Sequence, residues 1–106
     1  MLAKKKGYRT ERKIKLRFER DGWSDLRAGA SIGEADLICI RKGKCILLQI
    51  KSTGKKTLYF YGYMKKELEG FPFYLIVDFG YGKIRVLHPK QKVEIWDGRD
   101  LEDFLK

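Results

Sequence analysis

Near the start of the chain, polar and apolar positions repeat with the period of a helix. Residues three, four and seven apart fall on one helical face, and between Tyr8 and Arg20 that face carries Glu11, Ile14, Lys15 and Phe18. Asp21-Gly22 follows and is a suitable stop, since glycine is favoured just after a helix end. We therefore predict one amphipathic helix over Tyr8 to Arg20.

Farther along, the pattern changes to short apolar runs separated by turn residues, which is typical of strands. Five runs fit: Trp23 to Arg27, Ala35 to Arg41, Lys44 to Lys51, Phe71 to Phe79 and Lys83 to His88. Two short helices are predicted, one over Met64 to Glu69 and one capped by Asp100 and ending near Leu105. This order indicates an α/β (α+β) fold with a mixed central β-sheet flanked by helices. With 106 residues, the whole chain (1–106) is expected to form a single domain.

The turn between two of these runs determines which side chains face one another. Lys42-Gly43 fits a two-residue hairpin turn, and the resulting register places Asp36 opposite Gln49. Lys51 lies two residues beyond Gln49 and so shares its face. A carboxylate, an amide and an ammonium group are thus predicted to meet at the open end of the hairpin. The simpler interpretation is an ion pair between Asp36 and Lys51 that fixes the register.

Both faces of this hairpin are expected to be covered. Toward the turn, one face carries Ile38, Ile40, Cys45 and Leu47, and the other face carries Leu37, Cys39, Ile46, Leu48 and Ile50. Apolar residues on both sides are typical of a strand that is packed on two faces. Because the pairing separates the two cysteines, we expect no disulfide between them, which suits a reducing cytoplasm.

An acidic residue also lies on the apolar face of the predicted helix. Glu11 precedes Ile14 by three positions and Phe18 by seven. An inward-facing carboxylate is costly unless it is paired or binds a metal, which makes Glu11 a further candidate for the hairpin site. The alternative is an exposed acid in the first helical turn, where it interacts favourably with the helix dipole.

The charge of the chain favours a polyanionic partner. Lys and Arg number 24 against 14 Asp and Glu, giving a net charge of +10, which indicates nucleic acid before an anionic membrane surface. Basic segments at residues 1–20 and 41–56 flank the candidate site, although either alone could be a solvated face. The hydrophobic content of 43% excludes a disordered tail. With no transmembrane run and no signal peptide recognised, we expect a cytoplasmic protein.

Three features of the sequence resemble the core of the PD-(D/E)XK nucleases: Glu11 on a helix, Asp36 on a strand and Gln49-Ile50-Lys51 on the next strand. Longer matches are similar to the archaeal Holliday junction resolvases: Lys6-Gly7, Glu11-Arg12, Gly22-Trp23, Arg27-Ala28-Gly29-Ala30-Ser31, Ala35-Asp36-Leu37-Ile38 and Gln49-Ile50-Lys51. The resemblance covers residues 6–53 well and residues 54–106 only in the order of elements. It implies a restriction-endonuclease-like nuclease core and a homodimeric endodeoxyribonuclease that resolves four-way DNA junctions by paired nicks.

The resemblance also implies catalytic roles by position. Asp36 would bind a divalent metal, Glu11 would complete or support the metal shell, and the Gln49 carbonyl would be a further oxygen ligand. Lys51 would orient or activate the attacking water. Ser31 matches a position that the family uses near the scissile phosphate. Mg²⁺ is the implied cofactor.

Further residues are expected to contact DNA. Arg12 and Arg27 match family positions that contact phosphates, and the basic segments add Lys5, Lys6, Arg9, Lys55 and Lys56. Branched DNA is thus the implied partner, and neither a membrane nor a small-molecule substrate is expected. An aromatic run could stack on unpaired bases at a branch point or belong to the core or a dimer interface: Tyr59, Phe60, Tyr61 and Tyr63.

Two features depart from the family pattern. Gln49 stands where the family has Glu, so we expect weaker cation binding, with Mn²⁺ as a substitute for Mg²⁺. Glu34 could share the face of Asp36 and compensate, or could lie in the preceding loop. The helix expected after Lys51 is shortened to Met64 to Glu69, in a region that contributes to dimerisation in relatives.

Two other functions remain open. One is a nuclease of the same fold that acts on flapped, mismatched or foreign DNA. The other is a catalytically silent protein that binds branched DNA, with catalysis lost through Gln49. A small basic RNA-binding protein fits less well, because it would leave Glu11, Asp36 and Lys51 without a shared purpose.

Overall fold

The computed structural model of the protein describes the backbone of residues 2–27 and 34–106, and the side chains of residues 9–26 and 34–106. Its helices are α1 (Leu2–Arg20) and α2 (Leu101–Leu105). Its strands are β1 (Ser24–Arg27), β2 (Leu37–Arg41), β3 (Lys44–Ser52), β4 (Thr57–Tyr59), β5 (Glu67–Leu68), β6 (Phe71–Asp78), β7 (Ile84–Leu87), β8 (Lys92–Glu94) and β9 (Arg99–Asp100). The predicted first helix is confirmed to its last residue and begins earlier, at Leu2. Neither described helix is long and apolar enough to span a membrane.

Strands of both directions form the central sheet. Its strand order is β1-β2-β3-β6-β7-β9, β5 pairs with β6 outside this path, and β4 and β8 form a separate two-stranded sheet. β3 and β6 run parallel, while the other described pairs are antiparallel. A parallel pair needs a crossover connection, and residues 53–70 provide it. The predicted mixed sheet flanked by helices is confirmed.

The β2–β3 hairpin has the turn and the register that the sequence predicts. Lys42 and Gly43 have φ angles of 49° and 80°, and a two-residue type I′ turn requires positive φ at both positions. The pairing begins at Arg41↔Lys44 and keeps that register as far as Leu37. Side chains therefore alternate between the two faces as expected.

The helices cover one face of the sheet. Ile14 and Phe18 of α1 are fully buried and pack in one cluster with Leu37, Cys39, Ile46, Leu48, Ile50, Ile76, Val86, Leu101 and Leu105. Asp100 caps α2 as predicted, its carboxylate accepting from the Glu102 N–H at 3.0 Å. An ion pair between Arg17 and Glu102 joins the two helices. The predicted inward face of α1 is confirmed for Ile14 and Phe18, whereas Glu11 and Lys15 are only half-buried.

The small β4–β8 sheet covers part of the other face. The cluster between the two sheets consists of Phe60, Leu75, Val77, Phe79, Leu87 and Val93. Nearer the hairpin, Ala35, Leu47 and Phe73 form a third cluster. The hairpin is thus covered on both faces over most of its length, whereas Ile40, next to the turn, is 41% exposed and contradicts the prediction. Cys39 and Cys45 are both free thiols.

The predicted helix over Met64 to Glu69 is wrong. Part of that segment is β5, which pairs antiparallel with β6, and the turn between them has φ angles of 54° at Glu69 and 82° at Gly70. Such left-handed values end a right-handed helix. So short a segment is not a stable helix by itself, whereas pairing with β6 satisfies its backbone. The ring of Tyr63 also packs edge-on against Phe73, with centroids 5.3 Å apart.

Candidate active site

β3 carries two of the predicted site residues on one face. Gln49 and Lys51 are two positions apart, so their side chains leave the strand on the same side. They pair in parallel register with Leu75 and Val77 of β6. Gln49 is buried, with 9% of its surface exposed, whereas Lys51 is exposed. The amide is therefore held within the sheet while the ammonium group beside it reaches solvent.

A cavity of about 350 Å³ opens beside these two side chains. Its other wall comes from β4 and the residues that follow, and the lining consists of Glu34, Gln49, Lys51, Leu58, Tyr59, Phe60, Tyr61 and Gly62. Aromatic walls with a few convergent polar and charged groups are typical of a ligand-binding site. The cavity is therefore the candidate active site.

The Asp36 carboxylate is fixed to the backbone of β3. The Asp36 N–H donates to the Leu48 carbonyl at 2.7 Å, and the carboxylate Oδ2 accepts from the Ile50 N–H at 2.8 Å. Because Ile50 lies between Gln49 and Lys51, the carboxylate is held beside the same short stretch of β3. The regular β2–β3 pairing extends only as far as Leu37, so Asp36 is not paired directly with Gln49 as predicted. The two hydrogen bonds to Leu48 and Ile50 join Asp36 to β3 instead.

The side-chain oxygen of Gln49 is buried and accepts no hydrogen bond from a described residue. A buried carbonyl oxygen left without a donor costs about 1–3 kcal/mol, and at the cavity wall a water or a bound cation would satisfy it. Mg²⁺ and similar cations prefer oxygen ligands, and the oxygens of Gln49 and Asp36 fit that preference. Among the described residues no three His, Cys, Asp or Glu side chains form a metal cluster.

Glu11 belongs to the layer on the other side of the sheet. It is half-buried on α1, one turn before Ile14, and α1 packs on the face formed by residues such as Leu48 and Ile50. Glu11 is not part of the cavity lining. The structure therefore brings Gln49 and Lys51 of β3 together at the cavity, with the Asp36 carboxylate hydrogen-bonded to the β3 backbone between them, and the metal-shell role of Glu11 stays a prediction.

Four of the residues predicted to contact DNA lie in two places, on α1 and in the segment between β3 and β4. Arg9 and Arg12 are exposed on α1, and Lys55 and Lys56 are exposed in the segment that follows β3. Exposed basic side chains of this kind can contact phosphates and position a nucleic acid. The remaining predictions lie outside the described side chains: Lys5, Lys6, Arg27 and Ser31.

The aromatic run after β3 divides between core and cavity. Phe60 is 3% exposed and belongs to the core, and Tyr63 packs against Phe73. Tyr59 and Tyr61 are 58% and 73% exposed, and both line the cavity. Successive side chains of an extended segment point in opposite directions, which accounts for the different exposure of Phe60 and of its two neighbours, although Phe60 also forms part of the cavity wall. The stacking hypothesis therefore applies to Tyr59 and Tyr61.

Sequence reasoning did not single out Asp25. β1 places it directly opposite Cys39, on the face that α1 covers, and 8% of its surface is exposed. Burial raises the pKa of Asp25 to about 6, because the charged form loses hydration there. Its neighbour Leu26 is 59% exposed. Since hydrophobicity predicts the reverse orientation, the sequence offers no signal for this buried acid.

Comparison with known proteins places this geometry in context. A family model described as "Archaeal holliday junction resolvase (hjc)" matches residues 2–94. A similar solved structure is that of Archaeoglobus fulgidus Hjc, described as a Holliday junction resolvase from an archaeal hyperthermophile. The TM-score is 0.72 at 16% sequence identity, covering 94% of this chain and 95% of that chain. No curated protein matches the chain.

Proposed function

Because this chain belongs to the archaeal Holliday junction resolvase family, we propose that it is a metal-dependent endonuclease that resolves four-way DNA junctions by paired nicks as a homodimer. The family and the nuclease fold predicted from the sequence are confirmed, and the family's enzyme class is an endodeoxyribonuclease. One observation supports activity at a specific place. Gln49 and Lys51 meet in a cavity, with the Asp36 carboxylate bound to the backbone between them.

Asp36 and Gln49 would hold a divalent cation at this cavity through their side-chain oxygens. When bound, such a cation polarises the scissile phosphate and offsets the charge that develops in the transition state. The family resemblance also gives Glu11 a supporting role in the metal shell, although α1 packs on the opposite face of the sheet, and it assigns Ser31 to a position near the scissile phosphate. Mg²⁺ is the proposed cofactor, with Mn²⁺ as its substitute because an amide carries no charge.

Lys51 would act on the attacking water. Its ammonium group stands at the exposed end of β3, and a flexible point charge there can hold and orient a nucleophile beside the phosphate. In the hydrolysis, the water oxygen bonds to phosphorus while the bond from phosphorus to the leaving sugar oxygen breaks. The leaving oxygen takes up a proton, and one strand is nicked.

Exposed basic residues would hold the DNA. Arg9 and Arg12 on α1 and Lys55 and Lys56 after β3 are all exposed, and the net charge of +10 favours a polyanion. Tyr59 and Tyr61 would stack on bases that lose their partners at the branch point. Paired nicks need two sites, and two-fold symmetric copies of the chain would supply one for each cut strand.

A catalytically silent junction-binding protein is the second candidate. The observation that favours it is Gln49 itself, because one charge expected at the cation site is absent. A nuclease of the same fold that acts on flapped, mismatched or foreign DNA would use the same cavity on another substrate.

Cleavage of a synthetic four-way junction, beside a linear duplex and a flap, tests the proposal with Mg²⁺ and with Mn²⁺. We expect symmetric paired nicks in the junction alone, and a dimer by light scattering of the purified protein. Asp36→Asn, purified in parallel, controls for a contaminating nuclease. Binding without cleavage in either metal would move the function to the silent binder, and equal cutting of the flap would move it to another nuclease.

A further inference from the structure

The acidic residue that lines the cavity is Glu34, which the family pattern does not assign. Resting on the proposed function, we propose that Glu34 supplies the carboxylate that Gln49 lacks, so that Glu34, Asp36 and the Gln49 oxygen together bind the cation. Glu34 lines the cavity with both Gln49 and Lys51. In sequence it lies two residues before Asp36, whose carboxylate is hydrogen-bonded to the β3 backbone between Gln49 and Lys51.

Ala35 holds this segment in place. It is 3% exposed and packs with Leu47 and Phe73 in the cluster beneath the cavity side of the sheet. Asp36, the next residue along the chain, is held by its two hydrogen bonds to β3. Because Ala35 and Asp36 are both held in this way, Glu34 stays at the cavity wall. It lies in the loop before β2, which was one of the two possibilities raised by the sequence, and it still lines the cavity.

Charge gives the reason for a second carboxylate. Lys51 contributes a positive charge to the cavity and Gln49 contributes none, so without Glu34 the cavity lining itself would hold no negative charge to offset Lys51 and a divalent cation. Cation affinity at oxygen sites depends on the number of charged ligands. Glu34 restores the charge that the site loses by having an amide at position 49.

An independent observation indicates a ligand at this place. Gln49 is 9% exposed, and its buried Oε1 accepts no hydrogen bond from a described residue. The plain alternative is that Glu34 neutralises Lys51 across the cavity. Among the ion pairs of the described residues, none includes Glu34 or Lys51. The Glu34 carboxylate and the Gln49 oxygen are therefore both available to a cation.

Binding of Mn²⁺ to the DNA-free protein, followed by electron paramagnetic resonance, tests this assignment without an activity measurement. We expect Glu34→Gln to weaken Mn²⁺ binding by about tenfold or more, as loss of a charged ligand should. Adding Gln49→Glu to Glu34→Gln should return the affinity to near that of the unmodified protein, a rescue that a merely structural role would not produce. Glu67→Gln, an exposed acid outside the cavity lining, is the matched control and should bind like the unmodified protein.

The outcomes separate this inference from the function on which it rests. If Asp36→Asn loses Mn²⁺ while Glu34→Gln binds it like the unmodified protein, the cation site stands and the role of Glu34 is refuted. If neither the unmodified protein nor Gln49→Glu binds Mn²⁺, the metal site itself is absent, and both proposals fail. Thermal melting of each variant excludes unfolding as the cause, and Glu34 is exposed, so its substitution should leave the fold intact.

Discussion

Gln49 and Asp25 are buried polar residues on opposite faces of the same sheet. They are 9% and 8% exposed; the Gln49 oxygen accepts no hydrogen bond from a described residue, and the Asp25 oxygens have no donor among the described residues other than the weak Cys39 thiol. Burial and unsatisfied oxygens therefore do not distinguish them. The surroundings of the two residues do distinguish them: Gln49 lies at a site that can bind a ligand, whereas Asp25 lies where an unsatisfied oxygen only lowers stability.

Gln49 adjoins a cavity of about 350 Å³ that Glu34 and Lys51 also line. Asp25 lies under α1, opposite Cys39, whose thiol is only a weak hydrogen-bond donor. Burial raises the pKa of Asp25 to about 6 and also raises the pKa of the Cys39 thiol. An unsatisfied oxygen thus indicates a ligand where there is space and complementary charge, and elsewhere it is a cost to stability. Substitutions on the two faces should accordingly separate activity from stability.

The largest expected effect is on the cavity side. Asp36→Asn should lower the rate of junction cleavage by a factor on the order of 10³, the scale for loss of a preorganised charge-stabilising group. Stability should change little, because the amide oxygen can still accept from the Ile50 N–H. Single-turnover cleavage, junction binding by anisotropy and thermal melting measure the three quantities. Unchanged cleavage would remove Asp36 from the site.

On the helix side, Asp25→Asn should change stability and leave cleavage unchanged. The folded pKa of about 6 lies above the ordinary value of 3.8, so the folded state retains this proton over a range where the unfolded chain loses it. The contribution of Asp25 therefore becomes unfavourable as pH rises from about 4 to 6 and stays so above pH 6. The pKa difference corresponds to at most about 3 kcal/mol.

Urea unfolding of Asp25→Asn between pH 4 and pH 8 measures this effect. The variant should be more stable than the unmodified protein by up to about 3 kcal/mol above pH 6, and the gain should vanish near pH 4. Glu67→Gln, at an exposed position, should show no such trend. If Asp25→Asn gains stability by the same amount at every pH, or loses cleavage activity, then the two faces of the sheet do not differ in the way described.

Local rules explain which parts of the fold could be predicted. The Lys42-Gly43 turn needs positive φ at both positions and so determines the β2–β3 register, and the α1 face follows from helical spacing. Asp100 caps α2 through its own side chain. The resemblance to the family motif predicted the candidate site residues on β3, and two of them, Gln49 and Lys51, line the same cavity in the structure.

Long-range pairing explains what the sequence did not predict. The segment at residues 64–69 is extended because it pairs with β6, and Leu26 faces solvent because the register of β1 on β2 turns Asp25 inward. Asp36 departs from the ladder because its carboxylate accepts from the Ile50 N–H. The cavity itself depends on β4 pairing with β8, far along the chain. None of these pairings is visible in local spacing.

The smallest expected effect concerns DNA affinity beside the cavity. Lys55 and Lys56 are exposed just beyond β3, so Lys55→Gln/Lys56→Gln should weaken junction binding and reduce the slope of log affinity against log salt by about 2, one for each phosphate that is no longer neutralised. Lys42→Gln/Lys44→Gln removes the same charge at the turn end of β3 and is the matched control. Anisotropy titrations at several salt concentrations measure both slopes. If the two pairs reduce the slope equally, net charge alone accounts for binding; a larger reduction from the pair near the cavity places the DNA on the Gln49 face.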